Sequence, residues 1–328
     1  MTLRLINPGL LATVQDGGRY GHQHLGVGPS GTMDWAGLWL SNILVGNDRD
    51  AAAFEFTGAQ GEIEFLADTL IAICGRALRA RERILPAYRP LAVAAGTRLK
   101  LVEGVGPFRS YLAVAGGLIA PRVLGSASMS TATTLGAFQR TGLRRASTFE
   151  TGSPSDWAVA WLRALMRNGG SPDRWSVQPV TYYRHQQKST IHVIRDTRGH
   201  CADDVWRRFL HEEYAISIQS SRMGFRLNGA RLPAGRSDIE SHGVGTGTIQ
   251  LPPGGEPIIL MADRQTTGGY PTLGHVATVD LPLLAAAWPK DVLRFREISV
   301  EVAQAELEAM QTALQRRAWA VRARKPTR

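Results

Sequence analysis

The sequence predicts a mainly β chain with a few peripheral helices (an α+β fold), arranged as two β-rich halves that would suit barrel-like domains. Three observations carry that expectation. Short apolar or alternating runs recur along both halves, Gly and Pro interrupt them at turn-like intervals, and only a few segments show the 3.6-residue period of a helix. At 328 residues the chain is long enough for one large or two ordinary domains, each with its own core.

Taken in order, residues 2–14, 62–74, 91–102 and 109–118 read as strands broken by Gly or Pro. A helix is expected over 33–45, where Ala36, Leu40, Ile43 and Leu44 repeat at helical spacing, Thr32 is available as its cap and Gly46-Asn47 stops it. From 151 to 190 the texture changes: a helical stretch carrying Trp157, Trp161 and Leu165 gives way to polar, Gly-Gly and Pro-rich sequence ending in Tyr182-Tyr183-Arg184-His185-Gln186-Gln187. The second half resumes the β habit at 191–194, 214–218, 247–251 and 257–261, with a helix near 203–212. From 300 to about 321, Ala303, Leu307, Met310, Leu314 and Val321 fall near one helical face, which suits the core or an interface between subunits better than a membrane anchor. The expected organisation is therefore a β domain over 1–150, a helical junction over 151–190, a second β domain over 191–299, and a terminal helix with a basic tail over 300–328.

Composition excludes several classes. Hydrophobic content of 44% with 20% charged residues is ordinary for a folded globular protein. No apolar run approaches the roughly 20 residues of a membrane span and no leader-like pattern opens the chain, so a cytoplasmic protein is expected. Cys74 and Cys201 cannot form a disulfide framework or a C-x-x-C ligand pair, so free buried thiols are expected. The formal charge of +10 is concentrated partly in Arg316, Arg317, Arg322, Arg324, Lys325 and Arg328, beyond the last acidic residue, Glu308. The remaining arginines are scattered without interleaved aromatics, so neither nucleic acid nor membrane is expected as a partner.

Standard chemical motifs are mostly absent. There is no Walker loop and no H-E-x-x-H, and His192, His200 and His211 are not spaced as ligands on one helix face. Gly26-Val27-Gly28-Pro29-Ser30-Gly31 matches G-x-G-x-x-G, but polar Tyr20-Gly21-His22-Gln23-His24 precedes it where a dinucleotide fold needs a buried strand. Ser30 lacks the G-x-S-x-G setting of a hydrolase nucleophile. Two segments are nonetheless too dense in glycines and polar groups to pass over. Residues 13–34 bring together Gln15, Asp16, Arg19, His24 and Ser30. Residues 262–271 bring together Asp263, Arg264, Gln265, Thr266, Thr267, Gly268, Gly269 and Tyr270. Each reads either as a ligand site approached by flexible backbone or as a turn held by Asp–Arg pairing.

GLLATVQDGGRYGHQHLGVGPSGTMD (9–34), SSRMGFRLNGARLPAG (220–235) and GTIQLPPGGEPIILMADRQTTGGYP (247–271) resemble motifs of the KipA family, which includes the C component of 5-oxoprolinase (PxpC). The family is also called allophanate hydrolase subunit 2 and is related to the carboxyltransferase part of biotin-dependent urea carboxylase. The resemblance runs to about Phe295. It implies two cyclophilin-like β-barrel domains and an enzyme subunit working with a KipI-like small subunit (the B component of 5-oxoprolinase) and a lactam-utilisation subunit (its A component). Such an assembly opens 5-oxoproline to L-glutamate using ATP and Mg²⁺. Asp16, Asp263 and Arg264 are the candidate catalytic residues, the two carboxylates suited equally to orienting the arginines, holding Mg²⁺ or acting as acid/base groups. Gln15, Arg19, His24, Ser30, Arg222, Gln265, Thr266, Thr267, Gly268, Gly269 and Tyr270 would bind substrate, the arginines facing carboxylate or phosphate oxygens. No Ala-Met-Lys-Met lysine occurs, so no biotin is expected on this chain. Two other roles suit the same resemblance: a regulatory partner that neutralises a KipI-like kinase inhibitor, and a urea–allophanate type carboxyltransferase.

The chain departs from the family pattern at several places. Ala127 stands where relatives commonly carry arginine, Thr133-Thr134-Leu135-Gly136-Ala137-Phe138 replaces a Gly-Gly-rich stretch, and Ser221 replaces an acidic residue. His242 stands in a usual Ser-Glu-Gly, and Thr272 where Lys or Arg is frequent. Lost charges at these positions would point to an altered substrate or reduced activity.

Overall fold

The computed structural model describes residues 2–104, 106–133, 142–169, 175–179, 188–233 and 239–326. Tyr182–Gln187 and residues 134–138 of the departing stretch lie outside these. The mainly β expectation holds. In the first half a seven-stranded sheet runs Leu118–Ile119, Thr148–Thr151, Thr2–Asn7, Glu62–Phe65, Arg98–Leu101, Leu78–Ala80, Arg83–Leu85. A five-stranded sheet runs Leu11–Gln15, Ala53–Thr57, Arg109–Val114, Thr69–Cys74, Leu91–Val93. Alternate side chains of both, among them Leu3, Leu5, Phe54, Phe56, Phe65, Ile71 and Leu112, fill one core between the sheets. The first half is thus two sheets facing each other.

The second half is a closed barrel of seven strands among the described residues: Ser189–Arg195, Thr272–Val276, Thr248–Gln250, Ile258–Leu260, Gly224–Gly229, Tyr214–Ile216, Val292–Glu297. Pairing is antiparallel except at the closure, where Ser189–Arg195 lies parallel to Val292–Glu297. Ile191, Val193, Leu227, Ile249, Ile259 and Leu293 point into its core.

The first helix, α1 (Trp35–Ile43), is capped by Asp34 rather than by Thr32: Asp34 Oδ1 accepts the Gly37 N–H at 2.7 Å. Asp34 stands directly before the helix, within reach of its free amides, and the Thr32 hydroxyl instead donates to the Asp34 carbonyl at 3.0 Å. Helix α2 (Asp156–Arg167) forms where Trp157, Trp161 and Leu165 predict it. Helix α3 (Asp203–His211) sends Val205, Trp206 and Phe209 into the barrel core, Phe209 stacking on Phe295 with centroids 4.4 Å apart. A short α4 (Leu281–Ala286) follows the barrel strand Thr272–Val276. The terminal α5 (Val300–Ala323) buries Leu314, Ala318 and Val321 with α1, α2 and the outer face of the five-stranded sheet. The C-terminal helix thus returns to the first half, so its apolar stripe is core. Among the described residues no helix is long and apolar enough to cross a membrane. Cys74 and Cys201 are free and buried.

The two halves share buried groups. Met33, in the loop entering α1, belongs to the barrel's core. Arg109 Nη1 donates to the Ala285 carbonyl at 2.9 Å, Trp288 Nε1 to the Gly106 carbonyl at 2.8 Å, and Phe108 packs on Trp288 with centroids 4.8 Å apart. Arg109 is fully buried, its guanidinium over the Phe108 and Phe225 rings. Met33→Ala is expected to cost about 2–5 kcal/mol, the range for emptying a packed core site. Chemical denaturation should show one cooperative transition for both proteins; a loss below about 1 kcal/mol, or two separated transitions, would contradict this shared core.

Candidate functional site

Four loops meet at the junction of the halves: residues 16–34, 123–133, 217–223 and 261–271. Their positions follow from where strands Leu11–Gln15, Gly224–Gly229 and Ile258–Leu260 begin or end. Arg222 ties them together. Its Nε donates to Asp263 Oδ2 at 3.0 Å, its Nη2 to Asp263 Oδ1 at 3.2 Å and to the Gly31 carbonyl at 2.6 Å, and its Nη1 to Glu55 Oε1. Glu55 sits mid-strand in Ala53–Thr57, and its Oε2 accepts the Met33 N–H at 2.8 Å. Asp263 Oδ2 also accepts the Thr131 N–H and hydroxyl, at 2.9 and 2.7 Å. All three charged side chains are buried. Burial works against the Arg222 charge, but Asp263 and Glu55 outweigh it and hold the guanidinium more firmly protonated than usual. Burial likewise pushes the Asp263 carboxyl up, and the Arg222 charge with the Thr131 bonds brings it below the usual carboxylate range.

Asp16 organises the neighbouring loop. Oδ1 accepts the hydroxyls of Ser126 and Ser128 at 2.5 and 2.6 Å and the Gly18 N–H at 2.9 Å, while Oδ2 accepts the Ala127 N–H at 2.7 Å. Burial pushes this carboxyl up too; the four donors together outweigh it and leave the group below its ordinary value. Arg19 donates from Nη2 to the Ser128 carbonyl and from Nε to the Val123 carbonyl at 3.4 Å. Gln15 Nε2 donates to the Met129 carbonyl at 3.1 Å, and its Oε1 is buried without a donor among the described residues. Three of the predicted residues therefore brace the 123–131 segment, whose Ser126, Ser128 and Thr131 escape the sequence analysis. Alternating serines in Ser126-Ala127-Ser128-Met129-Ser130, and a lone carboxylate in Ala53-Phe54-Glu55-Phe56-Thr57, are the signals that could have found this frame.

Beside it lies a cavity of about 260 Å³ whose wall includes Ser30, Ser130, Arg264, Gln265, Thr266 and Thr267. Gly28 passes so close to the Arg264 carbonyl that a Cβ there would stand 2.9 Å from its oxygen, which is the reason for glycine at that point of the G-x-G-x-x-G string. Ser30, left-handed with φ +50°, also borders a cavity of about 350 Å³ walled by Tyr20, Trp35, Trp39 and Gln311. His24 is exposed on the short turn Gln23–Leu25, and Tyr270 is exposed; neither lines the smaller cavity. Gly268 and Gly269 lie just past its wall, Gly268 pairing with His242 in a two-stranded ribbon. The structure thus gathers Ser30, Asp263, Arg264, Gln265, Thr266 and Thr267 at one cavity, keeps Gln15, Asp16, Arg19 and Arg222 behind it, and leaves His24 and Tyr270 outside.

Among the described residues no three His, Cys, Asp or Glu side chains group as metal ligands. Asp16 and Asp263 already accept four hydrogen bonds each, three on one oxygen and one on the other.

Comparison with known proteins agrees with this architecture. The family model described as "Carboxyltransferase domain, subdomain A and B" matches residues 25–297. The C component of 5-oxoprolinase from Escherichia coli (strain K12) is 32% identical over 321 residues, covering 97% of this chain and 98% of that protein. The urea amidolyase of Lachancea kluyveri is 28% identical over 94% of this chain, which spans 18% of that much longer protein. The crystal structure of the Kluyveromyces lactis urea carboxylase superposes with a TM-score of 0.82 over 96% of this chain and 29% of that one, at 24% identity, a likeness of fold.

Arg222→Met should expose how much the frame relies on that guanidinium. In the native protein the lowered Asp263 stabilises fully above the ordinary carboxylate range, and this is lost as pH falls through the lowered value. Without Arg222, burial raises the carboxyl of Asp263, so the variant loses stability as pH rises. The deficit is expected at about 3–5 kcal/mol near neutral pH and smaller near pH ~4, read by denaturant melts at both; a pH-independent deficit would contradict the ion triad.

Proposed function

The chain belongs to the carboxyltransferase family, subdomains A and B, and from that premise we propose that it is one subunit of an ATP-dependent 5-oxoprolinase that opens 5-oxoproline to L-glutamate. The observation that carries this reading is the match to a protein named as the C component of 5-oxoprolinase, 97% of one chain against 98% of the other. The aligned region takes in both halves of the fold and the loops that frame the cavity. As a subunit, the chain needs others: a KipI-like small subunit (the B component) and a lactam-utilisation subunit (the A component) complete the assembly in this reading.

A lactam carbonyl is a poor electrophile because the amide nitrogen donates into it. Transfer of the γ-phosphoryl group of ATP to the amide oxygen would leave an imidate whose carbon water attacks. Collapse of the adduct breaks the ring C–N bond and leaves an acyl phosphate, which a second water hydrolyses to give glutamate and phosphate beside the ADP already formed. With Asp16 and Asp263 each engaged by four protein donors, and without a Walker loop, ATP and Mg²⁺ are assigned to the partner subunits. Asp16, Arg19, Arg222 and Asp263 then act as positioning residues, and Ser30, Arg264, Gln265, Thr266 and Thr267 as the wall that meets substrate.

The urea amidolyase relatives favour one second reading, carboxyl transfer to a urea-like amide with biotin carried by another protein. One experiment separates the two. The three subunits are co-expressed and purified as a complex, and glutamate is measured from 5-oxoproline with and without ATP. Glutamate is expected only with ATP and only when this chain is present. A well-formed complex that makes none, yet carboxylates urea when given a carrier whose biotin has been carboxylated beforehand by a separate biotin carboxylase with ATP and bicarbonate, would replace the first reading with the second.

A further inference from the structure

Three of the predicted site arginines are buried, but they are not equivalent. Arg222 has two carboxylates and a carbonyl, and Arg19 has two carbonyls. Arg264, 4% exposed, makes one hydrogen bond, from Nη2 to the neutral Gln23 Oε1 at 3.1 Å. Its Nε and Nη1 are buried with no acceptor among the described residues, which leaves at least three of the five N–H donors of an arginine unmet. No carboxylate pairs with it among the described residues: the adjacent Asp263 is turned to Arg222 and Thr131.

A guanidinium stays charged in proteins, and a buried charge without a counter-charge costs several kcal/mol. The missing partner must therefore be an anion, and Arg264 lines the 260 Å³ cavity where one could stand. The rest of the wall supplies hydroxyls, from Ser30, Ser130, Thr133, Thr266 and Thr267, and the Asp263 carboxylate, whose charge is met by Arg222, rather than further cations. One positive charge matches a singly charged carboxylate; a phosphoryl group, close to doubly charged, ordinarily gathers more. The volume lies below the roughly 300–1,000 Å³ of drug-sized pockets, so it suits a molecule the size of an amino acid and not a nucleoside triphosphate.

We propose that Arg264 is the residue that recognises the carboxylate of a small acid in this cavity, and that it restricts the substrate class to lactams bearing a carboxylate. The assignment to a lactam acid rests on the function proposed above; the carboxylate site itself does not.

The test has two parts. In the purified complex of all three subunits, Arg264→Met and Arg264→Lys are compared with the parent on 5-oxoproline and on pyrrolidin-2-one, the same ring without the carboxylate. Arg264→Met should raise KM for 5-oxoproline on the order of 10- to 100-fold and leave KM for ATP unchanged. It should also abolish the preference for 5-oxoproline over pyrrolidin-2-one, and Arg264→Lys should restore part of it. Because the lost cation had no counter-charge, Arg264→Met should melt no lower than the parent; a fall of many degrees would make Arg264 a structural residue and overturn the proposal. An unchanged KM for 5-oxoproline, or a rise in KM for ATP, would overturn it as well, the latter in favour of a phosphoryl site. The second part uses the full chain alone, by thermal shift with 5-oxoproline, acetate and inorganic phosphate. Stabilisation of the parent but not of Arg264→Met by the carboxylates is expected, even if the complex makes no glutamate and the lactam reading falls. No carboxylate-dependent shift in the parent would sink the site.

Discussion

The ion triad of Glu55, Arg222 and Asp263 is the constraint on which the candidate site depends. Each member comes from a different place: Glu55 from the middle of a strand in the first half, Arg222 from the loop entering a barrel strand, Asp263 from the loop leaving another. Taken singly, each would be an intolerable buried charge. Together they fix the distance between the sheet sandwich and the barrel, because the triad exists only when both halves are seated. Hydrophobic contact such as that of Met33 supplies adhesion without specifying direction; the bidentate geometry of arginine with a carboxylate supplies the direction.

From this frame follows a division of labour among groups of the same chemical type. Asp16 and Asp263 are both engaged acceptors, so the loops they hold are set before any ligand arrives. Preorganisation of this sort is what makes a polar site effective, since the protein need not rearrange when charge develops. Arg264 is the exception that the frame makes possible. With Asp263 drawn toward Arg222 and Thr131, the neighbouring guanidinium is denied its nearest counter-charge and keeps its donors for something else. Stability is given up at one residue while its neighbours are oversatisfied, the usual relation between a site and its surroundings.

Much of this is legible in the sequence, and the limits are physical. Strand texture, the helices at Trp35–Ile43, Asp203–His211 and Val300–Ala323, and both glycine-rich segments can be read from periodicity and turn residues. Strands such as Gly224–Gly229 and Val292–Glu297 escape such a reading because alternation with arginines, as in Val292-Leu293-Arg294-Phe295-Arg296-Glu297, looks like loop polarity until one face is known to be buried. Within the site, sequence can say that Arg19, Arg222 and Arg264 suit anions, but not which anions are already part of the protein. That distinction depends on Glu55 and on the 126–131 segment, which lie far away along the chain and meet the arginines only after folding.

The departures from the family pattern gain a different meaning once placed. Ala127 serves Asp16 through its backbone N–H, which any residue but proline would provide, while its methyl packs in the first core. Ser221 turns its hydroxyl to the Met223 N–H at 3.2 Å. His242 and Thr272, each standing where the pattern favours a charged residue, are hydrogen-bonded to each other at 3.2 Å. A pair of opposite charges would attract across this contact; here a neutral donor and acceptor satisfy each other. None of the four residues lines the cavity beside Arg264. At His242 and Thr272 the lost charges are thus replaced by a neutral hydrogen bond away from the cavity, whereas Thr133, which opens the departing stretch, is part of the cavity wall.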